Sequence, residues 1–358
     1  MTVTLLSPRT SPADLRRPRL GFLGLGWIGR HRMEALSATD GIEIAALCDP
    51  SPEALSAAQT LAPGAWASAD PEALLAQDLD GLVIATPSAQ HAAQSIAALE
   101  RGMAVFCQKP LGRNAAEAAA VVQAARRADR LLAVDLSYRH TAAMAAIRPL
   151  LRDGALGRIF AVDLTFHNAY GPDKAWFHDR ALSGGGCVMD LGVHLVDLVL
   201  WALDHPKVVD VQAHVLAGGA PLDPEGAAVE DFAAVTLTLA GGTVVRLACS
   251  WNLPAGCDAD IGAAFYGTAG GAALRNVNGS FFDFTAERFN GTQRDCLAAP
   301  PDQWGGRAAV DWARRLAEGE GFDPDAERLV TLAQTLDAIY AAAGAAPVQE
   351  QSPLASVL

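Results

Sequence analysis

The chain has 358 residues and a mass of 37.3 kDa, enough for about two domains of ordinary size. Hydrophobic residues make up 51% of the sequence and charged residues 19%, so a disordered chain is excluded. The 27 Lys and Arg and the 40 Asp and Glu give a net charge of −13. An acidic chain without a basic block is not expected to bind nucleic acid.

The first segment, residues 1–18, is predicted to be a flexible extension. Arg16 and Arg17 precede the apolar run 20–28 and superficially resemble a twin-arginine export signal. That run is short, ends at Arg30 and lacks an A-x-A cleavage site, so we expect a cytoplasmic protein. Six cysteines without a C-x-x-C pair agree with reduced thiols in a reducing compartment.

Residues 19–138 alternate short apolar runs with Ala-rich helical patterns. The predicted strands are 19–25, 42–48, 65–67, 81–85, 104–107 and 131–136, and the predicted helices are 28–37, 52–61, 71–76, 89–101 and 115–128. Continuous apolar strands that alternate with helices indicate a parallel sheet covered on both faces. We therefore predict an N-terminal doubly wound α/β domain.

A glycine motif, Gly24-Leu25-Gly26-Trp27-Ile28-Gly29, follows the first strand and opens the first helix. These glycines allow a tight turn, close approach of a pyrophosphate and close helix packing. Asp49 ends the second strand 20 residues after the last Gly, where a carboxylate would accept a hydrogen bond from an adenosine ribose. The alternative is a plain tight turn with an acidic helix cap. A carboxylate there repels a 2′-phosphate, so NAD is favoured over NADP.

The sequence Cys107-Gln108-Lys109-Pro110 ends another strand of this sheet. Ligands bind at the carboxyl ends of strands in doubly wound sheets, so we expect Lys109 to point into the ligand crevice. A solvent-exposed lysine at a strand end is the alternative.

Residues 139–345 are predicted to form an α+β domain with a large, open and mostly antiparallel sheet, followed by a tail at 346–358. Its predicted strands are 159–168, 208–216, 232–239, 243–250, 261–266 and 280–284, with a hairpin at 240–242. Its predicted helices are 141–153, one after the glycine run 184–186 that extends to 203, 307–318 and 325–343. The last helix is expected to return toward the N-terminal domain.

The helix after the glycine run carries a polar stripe. Asp190, His194 and Asp197 are spaced i, i+4 and i+7, so they share one face of an otherwise apolar helix. Such a stripe faces a partner element or a cleft. A structural network and a catalytic Asp–His pair both fit; no further ligand cluster supports a metal, so none is expected. These charged positions also argue against a transmembrane helix.

Together these residues resemble the glucose–fructose oxidoreductase/inositol dehydrogenase (Gfo/Idh/MocA) family over nearly the whole chain. The shared features are the glycine turn, Thr86-Pro87 with His91, the Lys-Pro of the family's E-K-P motif, and the glycine run followed by Asp190-x-x-x-His194. The resemblance implies an N-terminal Rossmann domain and an NAD(P)-dependent oxidoreductase of sugars, inositols or related polyols. It implies that Lys109, Asp190 and His194 are the catalytic residues.

The sequence departs from the family pattern at two places. Gln108 replaces the glutamate of E-K-P, which puts cofactor positioning or the pKa of Lys109 in doubt. The family often has His three residues after the last Gly, where this chain has Arg32 and the histidine is His31. The cofactor-binding residues predicted here are Gly24, Gly26, Trp27, Ile28, Gly29, Asp49, Thr86, Pro87, His91, Gln108 and Lys109.

Oxidation of a secondary alcohol requires removal of the hydroxyl proton as hydride leaves carbon. With an ordinary pKa of about 6.5, His194 suits the general base. Lys109 would stabilise the developing alkoxide, and Asp190 would orient the imidazole or hold a neighbouring hydroxyl. The residues expected to contact substrate are Lys109, Tyr138, Arg139, His167, Tyr170, Trp176, His178, Asp190 and His194, with Asn168 and Lys174 beside them. For Tyr138, Arg139, His167, Asn168, Tyr170, Lys174, Trp176 and His178, interdomain packing is the alternative.

Two other functions fit the same fold. An NAD-dependent glycosidase or lyase would use transient oxidation to acidify a neighbouring C–H bond, with no net redox change. A non-catalytic NAD-responsive regulator is the other, and the intact Lys109, Asp190 and His194 argue against it. We also expect a homodimer or a homotetramer, because strands 232–239 and 243–250 leave one sheet face without an obvious helix to cover it.

Overall fold

The computed structural model describes residues 17–223, 226 and 228–345. Most of the predicted N-terminal extension and all of the predicted tail lie outside these residues. The described chain forms two sheets, a six-stranded sheet near the N-terminus and a nine-stranded sheet after it.

The N-terminal sheet is parallel throughout, with the strand order β3-β2-β1-β4-β5-β6. Its strands are β1 (Arg19–Leu23), β2 (Glu43–Cys48), β3 (Trp66–Ser68), β4 (Gly81–Ile84), β5 (Ala104–Cys107) and β6 (Leu132–Val134). Its helices are α1 (Trp27–Ser37), α2 (Pro52–Gln59), α3 (Pro71–Leu75), α4 (Ser88–Glu100) and α5 (Ala115–Ala128). The predicted doubly wound sheet is confirmed, and its strand order reverses between β1 and β4, where such sheets bind ligands.

The nine-stranded sheet has the order β15-β14-β13-β12-β7-β11-β10-β8-β9. Its strands are β7 (Ile159–Asn168), β8 (Val208–Ala217), β9 (Ala220–Pro221), β10 (Phe232–Leu239), β11 (Val244–Ser250), β12 (Ala259–Gly267), β13 (Gly270–Asn276), β14 (Phe284–Asn290) and β15 (Gln293–Ala298). The pair of β7 and β11 is parallel and the other recorded pairs are antiparallel. The predicted open, mostly antiparallel sheet and the β10–β11 hairpin are confirmed.

The predicted strand 280–284 is wrong, and the strands β9, β13, β14 and β15 were not predicted. Ser280 forms a turn, in which its hydroxyl oxygen accepts hydrogen bonds from the backbone N–H groups of Phe282 and Asp283. Strand β14 starts only at Phe284. The missed strands β13 and β15 carry glycine, alanine or mostly polar exposed residues rather than an alternating apolar pattern.

Helices cover one face of the nine-stranded sheet. They are α6 (Ala142–Arg152), a π-helical turn (Val188–Gly192) that continues into α8 (Val193–Ala202), and α10 (Glu327–Ala342), whereas the short α7 (Arg180–Ser183) contacts α4 and α9 (Arg307–Ala317) contacts α1 and β5. On β10, alternate residues are buried toward these helices and the others are half-buried on the opposite face. The expected packing of one sheet face on the helix that carries Asp190 and His194 is confirmed, because β11 contacts the π turn and β7 contacts α8.

Two late helices return to the N-terminal sheet. In α10, the carboxylate of Asp337 accepts a hydrogen bond of 2.9 Å from the backbone N–H of Ala115, at the start of α5. In the structure the last helix thus contacts α5 of the N-terminal domain. Helix α9 also packs there, with Trp312 fully buried 5.7 Å from the ring of Phe106. Helix α10 also contacts β8, so it links the nine-stranded sheet to the N-terminal domain.

One helical stretch, Arg180–Ala202, has the length and hydropathy of a membrane span. Its most apolar window is 83% buried inside the structure, as is typical of the core helix of a folded domain.

Candidate active site

The glycine turn forms a cradle between β1 and the N-terminus of α1. Gly24 has φ +89°, and a Cβ on Gly29 would lie 2.1 Å from the carbonyl oxygen of Gly24. Gly26 faces open space and leaves the first N–H groups of α1 without a side-chain cap. A turn of this shape fits a pyrophosphate, which accepts hydrogen bonds from the helix N-terminus.

Asp49 supports this turn from the end of β2. One of its carboxylate oxygens accepts a 2.6 Å hydrogen bond from the N–H of Leu25, and the other accepts one of 2.8 Å from the N–H of Ser51. The carboxylate is only half-buried and its oxygens keep free lone pairs. Its predicted contact with a ribose therefore stays a prediction.

A cleft of about 550 Å³ opens between the two sheets beside the turn. Its lining includes eight of the predicted cofactor residues, Gly26, Trp27, Ile28, Thr86, Pro87, His91, Gln108 and Lys109, and does not include Gly24, Gly29 or Asp49. It also includes the predicted Tyr138, Lys174, Trp176, Asp190 and His194. The cleft thus joins the glycine turn to the three proposed catalytic side chains.

Lys109 and Asp190 form an ion pair across the cleft. The Nζ atom of Lys109 lies 2.5 Å from Oδ1 of Asp190 and also donates to the backbone carbonyl of Asp190 at 2.8 Å. Both side chains are mostly buried, 18% and 16% exposed. The second oxygen of Asp190 accepts a 3.0 Å hydrogen bond from the indole N–H of Trp251. Asp190 therefore orients Lys109, with Trp251 as its second partner.

His194 lies in a largely apolar environment beside this pair. Its ring meets the ring of Tyr138 edge-on at 5.0 Å, and its Nδ1 atom is buried without a hydrogen-bond partner. Burial lowers the pKa of His194 well below 6.5, and the positive charges of Lys109 and Arg32 lower it further. A neutral imidazole at physiological pH is the form that accepts a proton.

The π turn changes the expected helix geometry. Asp190 lies within this turn and His194 in the following α-helix, so the i, i+4, i+7 stripe is not continuous. Asp197 is 4% exposed and pairs with Arg139, which explains why neither lines the cleft. The expectation of one shared polar face is correct for Asp190 and His194 in the cleft and wrong for Asp197.

A buried carboxylate anchors the glycine run before the π turn. Oε1 of Glu230 accepts hydrogen bonds of 2.9 Å from the N–H groups of Gly186 and Val188, and one of 2.8 Å from the hydroxyl of Tyr340. A Cβ on Gly186 would lie 1.9 Å from the carbonyl oxygen of Glu230. These contacts set the start of the helix that carries Asp190.

His91 forms hydrogen bonds with backbone carbonyl groups in the wall of the cleft. One ring nitrogen lies 2.6 Å from the carbonyl oxygen of Pro110 and the other 2.8 Å from that of Thr86. The side chain is 1% exposed. It therefore ties the segment that carries Lys109 to the end of β4.

Four residues predicted to contact substrate lie away from the cleft lining. Arg139 is held by Asp197. His167 is on the open face of the sheet, where it bonds Ser250 at 2.7 Å. The Tyr170 hydroxyl donates to Asp258 at 2.6 Å, and His178 is exposed beside Trp251. The sequence predicts the strand or loop that carries each of these residues. It does not predict the direction of the side chain, which depends on sheet register and on side-chain partners.

Sequence reasoning missed several residues of the cleft. They are the buried polar side chains of Arg32, Asp135 and Ser137, and the aromatic side chains of Phe177, Phe281, Phe282 and Trp304. Phe281, Phe282 and Trp304 lie in loops and Phe177 in a short 3-10 turn, so no periodic pattern in the sequence indicates them. Among the described residues, no group of three His, Cys, Asp or Glu side chains could hold a metal ion.

Comparison with known proteins agrees with this geometry. Residues 19–136 match the family described as "Oxidoreductase family, NAD-binding Rossmann fold", and residues 144–273 match the GFO/IDH/MocA C-terminal domain. D-glucoside 3-dehydrogenase of Escherichia coli is 28% identical over 72% of this chain and 76% of its own length. Inositol 2-dehydrogenase of Acidothermus cellulolyticus is 27% identical over 87% of this chain and 88% of its own.

A solved structure extends the similarity to the whole fold. GenD2 from gentamicin A biosynthesis, a structure in complex with NAD, superposes with a TM-score of 0.77 at 25% identity. The alignment covers 95% of this chain and 97% of that one. Two matching family domains, in the expected order and over the described fold, show that this chain belongs to the Gfo/Idh/MocA family of NAD-binding oxidoreductases.

Proposed function

We propose that this protein is an NAD-dependent dehydrogenase that transfers hydride between nicotinamide and a secondary alcohol or ketone of a sugar, an inositol or a related polyol. The observation that carries the proposal is the Lys109–Asp190 ion pair beside the half-buried His194, whose Nδ1 atom is buried without a partner. All three line one cleft with the glycine turn. An acid–base group and a cation are what alcohol oxidation needs next to a hydride acceptor.

The chemistry is divided among the side chains of the cleft. Bound NAD supplies the hydride acceptor. His194 takes the hydroxyl proton, because burial keeps its imidazole neutral. Lys109 donates to the reacting oxygen and stabilises the negative charge that develops on it. Asp190 holds the ammonium of Lys109 in place, and ketone reduction uses the same groups in reverse.

Aromatic side chains favour a sugar as the other ligand. Trp176 stacks on Phe177 at 3.8 Å, and Trp304 packs 5.0 Å from Tyr138, all within the cleft lining. Flat apolar surfaces beside charged groups suit a sugar, which has apolar C–H faces and polar hydroxyls. We infer that Tyr138 and Trp176 contact substrate together with the catalytic residues.

The finer properties of the protein follow as part of the same proposal. Residues 19–138 bind the dinucleotide, with NAD preferred to NADP because of Asp49, and residues 139–345 supply substrate contacts and the subunit interface. The open face of the nine-stranded sheet supports a homodimer or a tetramer of dimers. A cytoplasmic location is supported by six free cysteines.

The test is turnover with purified protein and a panel of sugars, inositols and glycosides. We expect net NADH formation with NAD and a member of this panel, and loss of that activity in His194→Ala. Turnover of a glycoside without external NAD or net NADH would replace the proposal with the glycosidase or lyase function. NAD binding without turnover of any panel member would favour the regulator.

A further inference from the structure

A second buried polar network lies beside Lys109, and the proposed chemistry does not use it. It consists of Arg32, Gln108, Asp135 and Ser137, which are 5%, 7%, 1% and 4% exposed. Gln108 follows β5 and Asp135 follows β6, the neighbouring parallel strand, while Arg32 lies on α1. All four line the cleft that contains the glycine turn.

Asp135 is the centre of this network. Its Oδ2 atom accepts hydrogen bonds of 2.5 Å from Nε of Arg32 and from Nε2 of Gln108. Its Oδ1 atom accepts a hydrogen bond from the hydroxyl of Ser137, which in turn accepts one of 3.2 Å from Nη2 of Arg32. The carboxylate is thus neutralised by one buried guanidinium and fully bonded by neutral donors.

The carboxylate of Asp135 determines which end of the Gln108 amide faces it. An ionised carboxylate only accepts hydrogen bonds, so Gln108 must present its NH₂ group to it. The amide oxygen of Gln108 then points away from Asp135 and remains available as a neutral acceptor. A glutamate at this position would place a second carboxylate against Asp135, with Arg32 the nearest cation that contacts them.

We propose that Arg32, Asp135 and Gln108 are one positioning unit, in which Asp135 carries the carboxylate and Gln108 presents a neutral acceptor to the nicotinamide end of the cleft. The two departures from the family pattern, Gln108 and Arg32, are then parts of a single rearrangement of charge. Arg32 balances Asp135, as Lys109 balances Asp190, so the cleft wall contains two separate neutral pairs. The inference rests on the proposed function in one respect, that the cleft holds nicotinamide.

The test is a charge-exchange cycle with Gln108→Glu, Asp135→Asn and the double variant. Gln108→Glu creates two facing carboxylates, and Asp135→Asn leaves Arg32 without its ion-pair partner. Each single change should weaken NADH binding about 10- to 100-fold, the usual cost of losing a hydrogen bond to a charged group. The double variant again has one carboxylate and one amide that bond each other, so most of the loss should be recovered.

Cofactor fluorescence measures binding without any substrate, which separates this test from that of the proposed function. Gln123→Glu, on the exposed face of α5, is the control for added negative charge and should bind NADH like the parent. Once a substrate is known, the pH dependence of kcat/KM can be measured for each variant. Its acidic limb should move to higher pH in Gln108→Glu and to lower pH in Asp135→Asn. These opposite shifts reflect the change of charge near His194, which also faces Lys109, Arg32 and Tyr138.

Additive losses in the double variant would overturn the proposal, as would single variants that bind NADH like the parent. Thermal unfolding shows whether each single variant folds. If one does not, the double variant alone decides the test. If the double variant then folds and binds NADH, the two positions are coupled as proposed; if it does not, the exchange of charge between them is refuted.

Discussion

At the scale of single residues, His194 and Lys109 are expected to act on the reacting oxygen and not on the dinucleotide. His194→Ala and Lys109→Ala should therefore each lower turnover about 10²- to 10⁴-fold, the usual effect of removing an acid–base group. NADH affinity, measured by fluorescence, should change little in His194→Ala. Near-parental turnover in either variant would show that the cleft network is structural.

The half-buried imidazole of His194 also predicts a pH dependence. Burial lowers the pKa of His194, so protonation is disfavoured in the folded state and the base stays active below pH 6.5. The acidic limb of kcat/KM for alcohol oxidation should therefore lie below 6.5. The stability contributed by the neutral ring is present above the unfolded pKa and is lost as pH falls through the folded one. An acidic limb above 6.5 that is absent in His194→Gln would contradict this assignment.

Asp49 predicts the choice of cofactor. Its carboxylate lies at the glycine turn and repels a 2′-phosphate by ~1–4 kcal/mol at contact distance. NAD should therefore bind more tightly than NADP, and Asp49→Ala should narrow the difference. Since Asp49 also accepts hydrogen bonds from Leu25 and Ser51, this change should weaken NAD binding as well.

Asp49→Asn separates the two roles of the carboxylate. It removes the charge and keeps an acceptor for the turn, so it should narrow the preference with less loss of NAD affinity. Calorimetric titration of both cofactors measures these differences. Tighter binding of NADP than of NAD by the parent protein would refute the assignment.

The sequence predicts where the backbone of a site residue lies better than it predicts the direction in which its side chain points. Lys109, Asp190 and His194 were predictable because strand ends and a helix after a glycine run position them. Arg139 and His167 were placed at the right elements, but a salt bridge to Asp197 and the strand register turn them away from the cleft. Asp135 could not be found, since a lone Asp after a short strand gives no sign of its buried partners.

At the scale of elements, Glu230 links the glycine run to α10. Glu230→Ala would leave two backbone N–H groups and the Tyr340 hydroxyl without a partner in a fully buried place. Each such group costs about 1–3 kcal/mol, so unfolding free energy should fall by several kcal/mol. Turnover should fall too, because Asp190 lies on the turn that Glu230 anchors.

Tyr340→Phe is the matched control for this prediction. It removes one of the three hydrogen bonds and should cost about 1 kcal/mol. Urea unfolding compares the two variants, and turnover should be close to parental in Tyr340→Phe. Equal destabilisation in both variants would show that the backbone contacts of Glu230 contribute little.

Some strands and helices could be predicted from their sequences and others could not. The central parallel strands β4 and β5 were predictable because each is a continuous apolar run buried on both faces. Strands β13 and β15 have few β-branched residues and form through pairing with their neighbours. The π turn at Val188–Gly192 was likewise hidden, because its apolar residues fit an α-helix equally well.

At the scale of the whole molecule, the nine-stranded sheet has a covered face and an open face. The open face carries Ala234, Ala248 and Thr165 at its centre, and Val244 at its edge is 40% exposed. The opposite face of the same strands is packed on α8 and the π turn. The same face also carries the exposed ion pair of Arg246 with Asp163. A broad sheet face with small and apolar residues at its centre is a candidate subunit interface.

We therefore expect a homodimer or a homotetramer in solution. Ala248→Arg places a long charged side chain at the centre of the open face, where it cannot be buried against a second copy without a partner charge. This variant should become monomeric while keeping NADH affinity, since Ala248 lies outside the cleft lining. Ala57→Arg, the same change on the exposed side of α2, should leave assembly intact. Multi-angle light scattering at micromolar concentration decides the question: a mass near 37.3 kDa across the peak of the parent protein would mean a monomer and overturn the prediction.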